Sequence, residues 1–230
     1  MNETEPRPQT IAPLWHTLLL LLFLLSPTHL WLAAVEAIGI DSHARLVRYG
    51  ITFGIQSLLV LFVGVGLRVR NHNLTELIGR TWTKARYFRE DVTTGLLFSI
   101  CVLVLGVSLY ILLGSPALER RPSTILPHTL SDLIAWVPLA ISTAVVEELI
   151  FRGYFLQQAN AYTRSVSSAI CIQAVLFSLS HGYGQTFDGY TQKFILGLLF
   201  GFLTKYGQGI LPATVSHAIL DLTAGIVDFL

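Results

Sequence analysis

Seven apolar stretches constrain the fold more than any other feature of the chain. They run approximately Leu14 to Ala37, Ile51 to Leu67, Val92 to Leu113, Leu133 to Leu156, Ser165 to His181, Thr191 to Lys205 and Ile210 to Leu230. A helix needs about 20 mostly apolar residues to cross the hydrocarbon core. In lipid the backbone must satisfy its own hydrogen bonds, so only helices and closed barrels cross, and these runs are too continuous for barrel strands of roughly 10 residues. The expectation is an all-α, multi-pass transmembrane bundle of about seven spans. A hydrophobic share of 53% against 13% charged, with mean hydropathy +0.62, leaves no room for a separate soluble domain. The net charge of +1 excludes nucleic acid as a partner, because phosphate binding wants a concentrated basic face.

Two halves differ in character. Residues 1–132 carry membrane helices with few ionisable groups, a basic segment at about 68–91 and a polar, proline-bearing loop at 115–132; residues 133–230 carry the polar constellation described below. In the basic segment, Leu74, Leu77, Ile78, Trp82, Ala85 and Phe88 recur at helical spacing, and Asn73 with Glu76 reads as a helix start. The expectation is an interfacial amphipathic helix with its bases toward anionic membrane lipid. Arg68, Arg70, Arg80, Lys84, Arg86 and Arg89 place that segment on the cytoplasmic side, and with it the amino terminus, of a cell (inner) membrane. The first apolar stretch has a poor positive flank, with Glu3 and Glu5 against Arg7, so it reads as a retained helix and not a cleaved leader. Gly197 with Gly201, and Gly50 with Gly54, have the spacing that permits close helix approach. Cys101 and Cys171 lie in apolar runs and read as small buried hydrophobes.

Into the second half the sequence sets Glu147, Glu148, Arg152, His181, His217 and Asp221. Ionisable groups are costly in hydrocarbon, so their default reading is a functional site. Residues four apart share a helix face, which pairs Glu148 with Arg152 and His217 with Asp221. Glu147 points about 100° away from Glu148, so the two glutamates have different jobs. A carboxylate paired with arginine stays ionised and acts as scaffold; a poorly compensated one can take up a proton near neutral pH. Glu148 and Arg152 are thus supporting residues and Glu147 the chemical one. His181 and His217 can position a water or donate to a developing oxyanion, and Asp221 can fix the orientation of His217.

The sets Glu-Glu-x-x-Phe-Arg-Gly at 147–153, Phe-x-x-x-His at 177–181 and His-x-x-x-Asp at 217–221 resemble the motifs of the CPBP family of intramembrane proteases, which includes the type II CAAX prenyl endopeptidases and bacteriocin-processing or immunity proteins. The resemblance covers about Leu133 to the carboxyl end. It implies that Glu147 and His181 activate a water against the carbonyl of a membrane-associated peptide or protein, that His217 with Asp221 stabilises the oxyanion, and that no metal or other cofactor takes part. Where many relatives have Asn, this chain has Asp221, which if charged cannot donate to an oxyanion and instead holds His217. The rival readings are a zinc metalloprotease using Glu147, His181 and His217, and a non-catalytic membrane scaffold, immunity or carrier protein.

Overall fold

The computed structural model describes residues 9–26, 36–37, 39, 44–113, 125–181 and 186–229. Its elements are α1 (Leu14–Leu24), α2 (Arg45–Val69), α3 (Leu74–Ile78), α4 (Ala85–Leu113), α5 (Leu130–Glu148), a π-helical stretch (Leu149–Phe155), α6 (Leu156–Thr163), α7 (Val166–Ser180), α8 (Phe187–Gly207) and α9 (Leu211–Phe229). Among the described residues the fold is all-helical; the one extended pairing is an isolated bridge between Gly79 and Gly209. Among the described residues three helices are long and apolar enough to cross a membrane: residues 45–69, 85–108 and the 34-residue run 130–163. Of the other expected spans, α7 has 15 residues, about 22 Å at 1.5 Å per residue against a hydrocarbon core of about 30 Å. The helix α8 includes Asp188, Lys193 and Lys205, and α1 ends at Leu24, while much of the remaining stretch to Ala37 lies outside the described residues.

The basic segment 68–91 is not one amphipathic helix. Its start is as the sequence indicates: Asn73 caps α3, accepting from the Thr75 amide while Glu76 reaches back to the Asn73 amide. The helix then stops after five residues at Gly79, whose φ of 73° disfavours any side chain. There the chain pairs with the turn after α8. The Arg80 amide donates to the Gln208 carbonyl and the Ile210 amide to that of Ile78. A Cβ at Gly79 would lie 2.7 Å from the Gln208 oxygen, and one at Gly209 only 2.5 Å from the Ile78 oxygen. A tertiary pairing thus breaks the local periodicity, and Ala85 and Phe88 belong to α4 instead.

The described chain forms two compact units, each built from interleaved segments. The first draws on residues 1–27, 60–80 and 147–210. Here α7 and α8 approach closely at Gly197, where a Cβ would meet the Ala174 backbone at 2.8 Å, and Gln173 donates across the contact to the Gly197 carbonyl. The second unit draws on residues 28–59, 81–146 and 211–230. Gly95 of α4 lies against Pro212 and Val215 of α9, and the Ser99 and Ser216 hydroxyls sit 3.0 Å apart. Trp136 of α5 stacks obliquely on Tyr49, and its indole donates to the Asp221 carbonyl. Gly50 and Gly54, by contrast, face open space among the described residues. Cys101 and Cys171 are free, and both are exposed instead of buried, because the helix faces that carry them are outward in a protein whose apolar exterior suits lipid.

Candidate active site

Glu147, Glu148, Arg152 and His181 lie in the first unit, His217 and Asp221 in the second. Glu147 and Glu148 close α5 just where the helix widens. The Leu156 amide bonds to the Phe151 carbonyl, five residues back, which is the π pattern, and single wide turns of this kind are frequent at functional sites. Glu148 is fully buried and its carboxylate accepts from Arg152 Nη1 at 2.9 Å. Glu147 is half-buried and points elsewhere. The pairing expected from the spacing is present, and the two adjacent carboxylates do occupy different surroundings.

Arg152 is as buried as its partner. Its guanidinium stands 4.3 Å from the Phe177 ring centre and 5.1 Å from that of Phe200. Nε and Nη2 have no hydrogen-bond acceptor among the described residues, so aromatic faces take the place of further acceptors. Phe177 also reaches the histidine. Its carbonyl accepts from His181 Nδ1 at 2.7 Å, and the two rings meet edge to face at 4.6 Å. A carbonyl only accepts, so Nδ1 carries the proton and Nε2 of the neutral ring is left as the acceptor. The Phe-x-x-x-His spacing therefore has a physical content that the sequence reading passed over: one phenylalanine covers the buried arginine and fixes the histidine.

His181 caps the end of α7, while Ser165 caps its start by accepting from the Ser168 amide. The helix thus fills the expected run from Ser165 to His181.

In the second unit His217 is buried on α9, one turn before the half-buried Asp221. Its Nε2 stands 3.6 Å from the carboxylate, an ion-pair separation and too long for a hydrogen bond. Within each unit, among the described residues, no three His, Cys, Asp or Glu side chains cluster as a metal set. The sequence reading also missed His16, Thr17, Tyr154 and Gln158, a buried polar group in the first unit. Its signal was present, in a histidine and a threonine inside an otherwise leucine-rich run.

Residues 129–223, which contain all six site candidates, match the family model described as Type II CAAX prenyl endopeptidase Rce1-like. Over that segment, less than half of the chain, the protein is similar to the type II CAAX prenyl endopeptidases. No curated protein and no solved structure shows a significant match.

Proposed function

We propose that this protein is an intramembrane endopeptidase in which Glu147 and His181 activate water against a peptide carbonyl. The proton leaves water for the Glu147 carboxylate, the oxygen adds to the carbonyl carbon, and collapse of the adduct returns the proton to the departing nitrogen. His217 donates to the oxygen that gains charge, and Asp221 orients His217 and favours its cationic form. Glu148 with Arg152 holds the element that presents Glu147. The observation that supports this reading is the His181 ring, whose Nδ1 donates to the Phe177 carbonyl, so that in the neutral ring Nε2 is the nitrogen that accepts. The substrate is a membrane-associated protein or peptide, and the CAAX type of the family match makes a prenylated carboxyl terminus the first to try.

The same reading includes seven spans in a cell membrane, with 68–89 and the amino terminus on the cytoplasmic side. It also treats residues 133–230 as the catalytic portion.

The test is cleavage of a farnesylated CAAX peptide by the purified chain in lipid–detergent micelles containing excess EDTA or phenanthroline. Undiminished cleavage is expected. Activity lost to chelator and restored by Zn²⁺ would establish the metalloprotease reading, and no cleavage of any membrane peptide would favour the scaffold or carrier.

A further inference from the structure

Beneath the π-helical stretch lies a chain of hydrogen bonds that the proposed chemistry does not use. His16 Nε2 is 2.9 Å from the Phe62 carbonyl and Nδ1 is 2.9 Å from the Tyr154 hydroxyl. The carbonyl can only accept, so the neutral ring donates from Nε2, and Nδ1 accepts from Tyr154. The Tyr154 oxygen in turn accepts from Thr17 at 2.9 Å, and Thr17 accepts from Gln158 Nε2 at 3.0 Å. Gln158 completes the series: its second amide hydrogen goes to the Ala12 carbonyl at 2.7 Å, and its oxygen accepts from the Ile11 amide at 2.9 Å. His16, Thr17, Tyr154 and Gln158 are all buried. The series runs unbroken from Gln158 to the Phe62 carbonyl, with the Thr17 hydroxyl also 3.3 Å from the Pro13 carbonyl, and a buried polar network whose members are satisfied confers rigidity.

The backbone is shaped around this network. The His16 ring lies on Gly66, where a Cβ would come within 2.3 Å of it, and it stacks on the Phe62 ring at 4.2 Å. The network joins α1 and the end of α2 to Tyr154, the second residue after Arg152, inside the π-helical stretch. On an α-helix each residue turns about 100°, and a π-turn, closing over five residues, turns less. The angle between Tyr154 and the Glu147–Glu148 pair therefore depends on the wide turn being kept, and nothing in Leu-Ile-Phe-Arg-Gly-Tyr-Phe favours a wide turn by itself.

We infer that Tyr154, held by His16 and Thr17, is a positioning residue that keeps the π-turn wide and so sets the direction of Glu147. The inference rests on the catalytic reading above for its consequence in turnover, but its structural half can be measured without any substrate. Hydrogen exchange by mass spectrometry on the full chain in detergent reads it. Tyr154→Phe should speed exchange over residues 147–155 by about tenfold, the scale of one buried hydrogen bond, and leave 187–207 within about twofold. On the farnesylated peptide the same variant should lose about tenfold in kcat with KM nearly unchanged. Gln173→Met, a buried change in the same unit, should lower the melting temperature without that kcat loss. His16→Phe combined with Tyr154→Phe should be no slower than the slower single variant, since both cut one chain.

Unchanged exchange over 147–155 in Tyr154→Phe overturns the inference whatever the enzyme cleaves. Wild-type cleavage by Glu147→Gln overturns the catalytic reading and leaves the exchange result standing. If Tyr154→Phe does not yield folded protein, Thr17→Val cuts the chain one bond earlier and is judged by the same two criteria.

Discussion

Arg152 is a cation removed from water, paired with the Glu148 carboxylate and lying against the Phe177 and Phe200 rings. Removing it takes away the cation that the buried Glu148 pairs with at 2.9 Å. Such a loss costs about 3 to 5 kcal/mol, so Arg152→Ala should fall by that amount in a denaturant or thermal titration and lose cleavage with it. Arg152→Lys should recover only part, because a compact ammonium cannot lie across two rings as a planar guanidinium does. Glu147 differs in kind: Glu147→Gln and His181→Ala should abolish turnover while melting close to wild type. Asp221 stands at ion-pair distance from His217 and beyond hydrogen-bond reach. An amide oxygen at that place can still accept from the imidazole after a small shift, so Asp221→Asn should retain substantial activity and Asp221→Leu little, and equal loss in both folded variants would give the charge a more direct part.

At the scale of elements, the short helix α3 is defined by what docks on it. Leu77 is buried, and a Cβ added at Gly153 would lie 2.9 Å from the Leu77 Cβ and 3.2 Å from its carbonyl oxygen. Gly153→Val should push α3 off the π-helical stretch and cost about 1 to 3 kcal/mol, the usual range for overpacking, read as a drop in melting temperature. The cap of α3 adds an acid dependence. The His72 hydrogen bond beside Glu76 holds its carboxyl below the usual 4.5; slight burial opposes this, and the Asn73 amide adds to it. A depressed folded value means the cap's contribution is whole above pH 4.5 and is lost as pH falls below it. Limited proteolysis of residues 70–84 should accelerate in that acid range in the wild type, and show no such pH dependence in Glu76→Gln.

For the molecule as a whole, the apolar helices at 45–69, 85–108 and 130–163 make the protein an integral membrane one. It should therefore stay with the membrane through alkaline carbonate extraction. With the basic segment inside, a cysteine placed at Thr83, with Cys101 and Cys171 replaced by Ser, should be shielded from an impermeant maleimide in intact cells and labelled once they are opened. Labelling in intact cells would reverse the proposed orientation.

The sequence by itself determined the helical class, the membrane solvent and the pairing of Glu148 with Arg152, because hydropathy, span length and the four-residue helix repeat are local quantities. It also determined the α3 cap at Asn73 and Glu76, which lies within one turn. Tertiary structure decided the rest. The break at Gly79 comes from a bridge to Gly209, 130 residues later; the wide turn at 149–155 is held by Tyr154 against residues of α1; and the commitment of His181 Nδ1 follows from where α7 ends. Each of these depends on a partner distant in the chain or on how a helix end is closed, and neither enters a reading of local periodicity.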